Sequence, residues 1–254
     1  MKDARDALIL ALRHAKTCRT TRAHRPGVGH VYLRERPWHA QWMIALGNAV
    51  LDDLGVRVHF LGDGAWRRWE RDVYRALGVA GVRDERGMLV VPAFQGVVLA
   101  DYLARPDVND QEKRRAAEVS VRALRVAHRT TLPWPDDVVR TFSHGDATVR
   151  NIVYDGENGA AQWIDFESLH DPAWDATSRR ADDLRAWLVS AWESWPNVEV
   201  LTEAIIAAYG DASAVTALID ALGRRDDNLY HLAQGRMDAA RRAAAAQSLL
   251  RRLR

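Results

Sequence analysis

Lysine is nearly absent from this 254-residue chain: it occurs only at Lys2, Lys16 and Lys113, and every other cation is arginine. Any chemistry that needs a primary amine therefore has three candidates. Cysteine is rarer still. Cys18 stands alone, which excludes a disulfide within the chain and fits a cytoplasmic protein best. No apolar run reaches the length of a membrane span. The opening "MKDARDALILALRHAK" has an apolar patch, but acids flank it and no small-residue cleavage site follows. It reads as a helix over residues 3–16 of the mature protein rather than a signal peptide. A net charge of +2 lies too near neutral to argue for nucleic acid as a partner. Repeats and long linkers are also missing. With 48% hydrophobic residues, the chain has ample material for a globular core.

Strand signals concentrate early. "GVGHVYLRE" (27–35) reads as a turn into a strand, "VRVHFL" (56–61) as a second strand and "GMLVVPAF" (87–94) as a third. Between them, "HAQWMIALGNAVLDDLG" has helical spacing, and "AWRRWERDVYRALGV" (65–79) aligns Trp66, Trp69, Val73 and Leu77 on one helical stripe. "QGVVLADYLARP" starts a short helix. "DQEKRRAAEVSVRALRVAHRT" (110–130) is a long amphipathic one, with Asp110 as the expected N-cap. Segments 181–194, 198–209, 212–223 and 225–253 all read as helices. Strands first and helices later imply an α+β chain: a small mixed-sheet lobe over 1–95 and a mainly helical lobe over 96–254, divided near Pro92–Gly96. Most of the ten tryptophans sit at helical spacing and read as core.

The chemistry concentrates in "SHGDATVRNIVYDGENGAAQWIDFE" (143–167). Ile152–Tyr154 reads as a strand, Asn158-Gly159 as a hairpin turn and Ala161–Ile164 as the returning strand. A hairpin brings its ends together, so Asn151 at its entry lies beside Asp165 at its exit, with Asp146 just upstream. Asn151 and Asp165 offer hard oxygen ligands of the kind Mg²⁺ accepts alongside phosphate oxygens and water. Asp146 is then left to accept a proton from an attacking hydroxyl, the division of labour that phosphoryl transfer requires.

This arrangement resembles the protein-kinase-like phosphotransferases, and within them the aminoglycoside phosphotransferase, choline kinase and lipopolysaccharide-core sugar kinase branches. Those families write the catalytic loop as H-G-D-x-x-x-x-N and the metal loop as I-D-F/W-E/D. Here the matching residues are His144-Gly145-Asp146 with Asn151, and Ile164-Asp165-Phe166-Glu167. Gly145 and Glu167 depart from the H-R-D and D-F-G forms of protein kinases and point to the small-molecule branch. The resemblance implies a two-lobed kinase-like fold, ATP and Mg²⁺ as cofactors, Asp146 as base, Asn151 and Asp165 on the metal, and His144 bracing the loop. It also implies that "LVVPAFQGVVLADYL" is the hinge, that His128 is structural, and that Asp182 or Asp183 in "RRADDLRAWL" ties back to the catalytic loop.

The first lobe follows the family less closely. Glu70 fits the helix glutamate that pairs with a strand lysine contacting the nucleotide phosphates. The lysine itself is missing from both candidate strands, and Lys16 lies too early. Arg34 and Arg57 are the two candidates to replace it, although a guanidinium fork needs more room than an ammonium. No full glycine-rich loop is visible; Gly27 and Gly29 precede a strand. The leading expectation is an ATP-dependent kinase acting on a hydroxyl of a small molecule or glycan. A degenerate kinase-like nucleotide-binding or regulatory module without turnover is the alternative. A metal-dependent phosphohydrolase would need a second His/Asp motif, and none of recognisable spacing occurs. The basic run 235–254 would suit peripheral contact with an anionic membrane, but its apolar face is mostly alanine, so a packed terminal helix is expected. No motif specifies the acceptor or an oligomeric state.

Overall fold

The computed structural model describes residues 17–27, 29–223 and 239–253. The helix expected over 3–16, including Lys16, and the 225–238 part of the last expected helix lie outside the described residues.

A four-stranded sheet forms first, in the order β1-β2-β5-β4, with every pairing antiparallel. Its strands are β1 (Arg19–Arg25), β2 (Gly29–Glu35), β4 (Arg83–Glu85) and β5 (Met88–Pro92). Strand β1 was not legible in the sequence, because "RTTRAHR" carries no apolar alternation. It lies on the sheet edge, mostly exposed, where charged side chains cost nothing and deter further strand pairing. Helix α2 (Asp63–Ala76) buries Trp66, Trp69 and Val73 of the expected stripe, with Tyr74 beside them, and Leu77, at its C-cap, packs on the core partly buried.

Between β2 and α2 the chain inserts α1 (Ala40–Asp53) and β3 (Val58–Phe60). The segment 56–61 does form a strand, but not in the main sheet. It pairs antiparallel with β11 (Ser168–His170), just beyond the expected metal loop. Asn48 of α1 fixes β3 by donating to Phe60 O at 2.9 Å and accepting from Phe60 N at 2.8 Å. Leu61 N then donates to Glu167 O at 3.0 Å, so this insertion holds the metal loop from one side.

The route from β5 into the helical part passes β6 (Val97–Val98) and α3 (Leu99–Ala104). Strand β6 pairs with β9 (Ile152–Asp155), which pairs with β10 (Ala160–Trp163). Gly96 makes this crossing workable. Its φ is +113°, and a Cβ there would sit 2.2 Å from Tyr154 O. Helix α4 (Asp110–Arg129) follows. Its N-cap is Asn109, not Asp110: Asn109 accepts from Glu112 N at 3.0 Å and Glu112 returns the bond at 3.2 Å. Asparagine wins the position because its oxygen closes the reciprocal box with Glu112. The small ribbon of β7 (Thr131–Pro133) and β8 (Val139–Thr141) leads into the expected catalytic loop.

Helices α5 (Ala176–Ser194), α6 (Val198–Tyr209), α7 (Ala212–Gly223) and α8 (Ala239–Leu253) complete the described chain. Helix α5 begins five residues before the expected start, capped by Asp175, which accepts from Ser178 N at 2.9 Å. One apolar core runs from the sheet through the hairpin to these helices. Trp66, Trp69, Trp134, Trp163, Trp187 and Trp195 are buried as expected, whereas Trp38 and Trp42, at the start of α1, are 83% and 76% exposed. No helix among the described residues is long and apolar enough to cross a membrane.

Candidate active site

The expected hairpin is present. Trp163 pairs with Ile152, and Ile164 N donates to Asn151 O at 2.9 Å, so Asn151 and Asp165 are placed at its two converging ends. The Asn151 amide nitrogen donates to Asp146 twice, to its backbone oxygen at 2.9 Å and to its carboxylate at 2.8 Å. Both acceptors require the amide N–H₂, so the Asn151 oxygen faces away from Asp146. Neither that oxygen nor the second carboxylate oxygen of Asp165 receives a hydrogen bond from a described residue. One amide oxygen and one carboxylate oxygen at the hairpin mouth suit a Mg²⁺ that also draws on phosphate oxygens. Among the described residues no cluster of three His, Cys, Asp or Glu could hold a metal by itself. The donor set therefore fits a metal brought with phosphate better than a hydrolase metal cluster.

Asp165 has φ +65°, a left-handed conformation that aspartate tolerates better than most residues. Gly145, at φ +78°, meets a similar demand in the catalytic loop. A Cβ there would lie 3.2 Å from Ser168 Oγ and 3.3 Å from Leu169 N, so the close approach of β11 leaves little room for a side chain. This accounts for glycine between His144 and Asp146.

The loop is held from below by Asp183, in the second turn of α5. Its two carboxylate oxygens accept from His144 N at 2.7 Å and Gly145 N at 2.9 Å. His128 Nε2 donates to the same carboxylate at 2.9 Å, while His128 Nδ1 accepts from the Tyr209 hydroxyl at 2.7 Å. Burial works against the Asp183 charge, but His170 and His128 hold its pKa down at about 2. Of the two aspartates considered, Asp183 is thus the one on the loop. Asp182 instead accepts from His170 Nε2 at 3.3 Å. His144 is buried and its pKa is lowered by that burial. Its Nε2 donates to Ile164 O at 3.0 Å, which links the expected catalytic loop to the expected metal loop.

Burial, followed by the nearby Asp165 charge, raises the Asp146 pKa to about 6. The carboxylate is therefore a stronger base than an ordinary aspartate, yet still ionised at neutral pH.

Arg34, on β2, lies at the other wall. Its guanidinium donates to Glu70 with one nitrogen and to Asp165 with the other. Burial opposes its charge, while Glu70 and Asp165 hold its pKa well above the usual value. Burial in turn raises Glu70 to about 7 against the pull of Arg34. Glu70 also accepts from the Trp66 indole N–H. Arg57 is not brought into this cluster. It lies 3.9 Å from Asp171 and stacks over Trp174, because β3 pairs with β11 instead of joining the main sheet. Two further side chains join this wall, and one of them, Arg36, was not anticipated. Arg36 is buried against Trp66, its guanidinium 4.4 Å from the ring, and donates to Glu167 at 3.2 Å and to Leu61 O. Glu167 is raised to about 7 by burial and by Asp165. Glu167 is legible in the sequence as the last residue of the Ile164-Asp165-Phe166-Glu167 motif; the trace of its partner is the Arg34-x-Arg36 spacing, which turns both side chains to one side of the chain as β2 ends.

No family model matches this chain, and no curated protein sequence matches it. Comparison with solved structures returns an ethanolamine kinase from Plasmodium vivax, 9% identical, with a TM-score of 0.43 over 93% of this chain and 82% of that one. It also returns a Ralstonia eutropha protein assigned as an aminoglycoside phosphotransferase, 9% identical, with a TM-score of 0.38 over 98% of this chain and 94% of that one.

Proposed function

We propose that this chain is an ATP-dependent phosphotransferase that moves the γ-phosphate to a hydroxyl of a small molecule or glycan. The reading is carried by one observation: the Asp146 carboxylate, poised at about 6, is held by the same asparagine whose oxygen is turned away from it at the mouth of the hairpin, next to Asp165. In this reading Asp146 accepts the acceptor's hydroxyl proton as its oxygen attacks phosphorus and ADP leaves. Asn151 and Asp165 hold Mg²⁺, which when bound offsets the phosphate charge. Arg34, steadied by Glu70, would serve in place of the strand lysine that contacts the phosphates. His144 and Asp183 keep the loop in shape. In the same reading the sheet and α2 would cover the nucleotide, and the elements from β6 onward would carry the loops and the acceptor region. The lone Cys18 suits a cytoplasmic setting.

Incubation of the purified protein with labelled ATP and Mg²⁺ against a panel of hydroxyl acceptors tests this directly. Label should appear in an acceptor with the parent protein and fall sharply with Asp146→Asn. A second reading, a nucleotide-binding module without turnover, is favoured by Arg34, whose fork ties up both Glu70 and Asp165. It would gain if ATP and Mg²⁺ bind but no acceptor is labelled.

A further inference from the structure

Helix α4 buries Ala116, Ala117, Val121, Leu124 and His128 on its inner side. Its opposite face carries Arg115, Val119, Arg122, Val126 and Arg129, spaced alternately by four and three residues, so that all five fall on one stripe. The three arginines are exposed and have no acidic partner among the described residues. Their neighbour Arg114 behaves differently, pairing with Glu118 at 3.0 Å and Glu203 at 3.3 Å. Val126 is 60% exposed. Val119, Arg122 and Val126 also line a groove of about 310 Å³ together with Leu77 and with Ala161 and Trp163 of β10.

We propose that this stripe, with the groove beside it, docks an acidic amphipathic helix of a partner protein. Carboxylates one heptad apart would meet Arg115, Arg122 and Arg129, and aliphatic side chains between them would seat against Val119 and Val126. Seven residues advance about 10.5 Å along any α-helix, so the charges of two roughly aligned helices stay in register. Charge complementarity favours an acidic partner. The apolar wall favours a protein over a nucleic acid, since Trp163 is buried and no exposed ring in the groove can stack a base. A concave wall of valine and alanine has nothing large to insert into a lipid surface. Because Asn151 directly precedes β9 and Asp165 closely follows β10, the partner would rest on the hairpin that positions them. Docking does not depend on turnover.

The probe is a fluorescein-labelled helical peptide with glutamates a heptad apart, leucines between them, and alanine or glutamine elsewhere. Its anisotropy should saturate on titration with the full chain, with a Kd of ~10–100 μM. Arg122→Glu and Val126→Asp should each weaken binding about tenfold, and a peptide with glutamine for glutamate should bind as weakly to the unaltered protein. Arg68→Glu, at an exposed arginine on α2, should change the Kd less than about twofold. Absence of saturation overturns the proposal. So does salt-sensitive binding that ignores Val126→Asp, tighter binding of a single-stranded oligonucleotide, or a dimer in sedimentation that Val126→Asp dissociates.

Discussion

Asp146 joins two properties that pull against each other. Burial and Asp165 raise its pKa to about 6, which favours proton acceptance but makes the charged form costly in the folded chain. As a base it acts only when ionised, so kcat/KM should rise with pH through about 6 and level off above. Asp146→Asn keeps the shape and removes the proton acceptor; turnover should fall by about 10²–10⁴ with ATP affinity little changed. Stability should move the other way. A carboxyl whose folded pKa exceeds its unfolded value loses stability as pH rises between the two, so the variant should melt higher than the parent at neutral pH and converge with it below about pH 4. A melting curve that falls at pH 7 would mean the Asp146 charge supports the fold instead. Beside it, Arg34 is the one arginine among the described residues that pairs with Glu70. Arg34→Ala should weaken ATP binding in calorimetry, and Arg57→Ala should not.

At the scale of elements, helix α5 and the catalytic loop are joined through Asp183. Its carboxylate accepts two backbone N–H bonds and one from His128, and its pKa is held at about 2, well below an unfolded value of about 3.9. A depressed carboxylate contributes stability that is present above the unfolded pKa and lost as pH falls toward the folded one. The corresponding share is about 2–3 kcal/mol. Asp183→Asn should therefore melt well below the parent at pH 7, with the gap closing between pH ~4 and ~2. A constant gap across that range would remove the charge from the explanation. Gly145→Ala should also destabilise the loop, because it combines a left-handed φ with a close approach to β11.

For the whole molecule, the proposed site draws on the sheet through Arg34, on α2 through Glu70 and on the hairpin through Asn151 and Asp165. Nucleotide and metal should thus stabilise the entire fold. At a hundred times its Kd a ligand contributes about 2.7 kcal/mol, which for a chain of this size raises Tm by roughly 5–10 °C. That rise is expected with ATP plus Mg²⁺. It should be smaller with a chelator or with AMP, and Asp165→Ala should show little dependence on metal. An unmoved melting curve together with no heat of binding would end the nucleotide reading.

Local features were legible in the sequence where the physics is local. The hairpin 152–163 follows from short apolar runs around Asn158-Gly159, and its closure alone brings Asn151 to Asp165. The α2 stripe and the boundaries of α6 follow from helical spacing. Long-range pairing had no such signal. That β3 leaves the sheet for β11, that Arg34 rather than Arg57 reaches Glu70, that Asp183 rather than Asp182 holds the loop, and that Arg36 meets Glu167 all depend on which strands lie side by side. Chain spacing states which side chains share a face of one element. Only the packed fold decides which faces meet, because that choice is made by burial summed over the whole core.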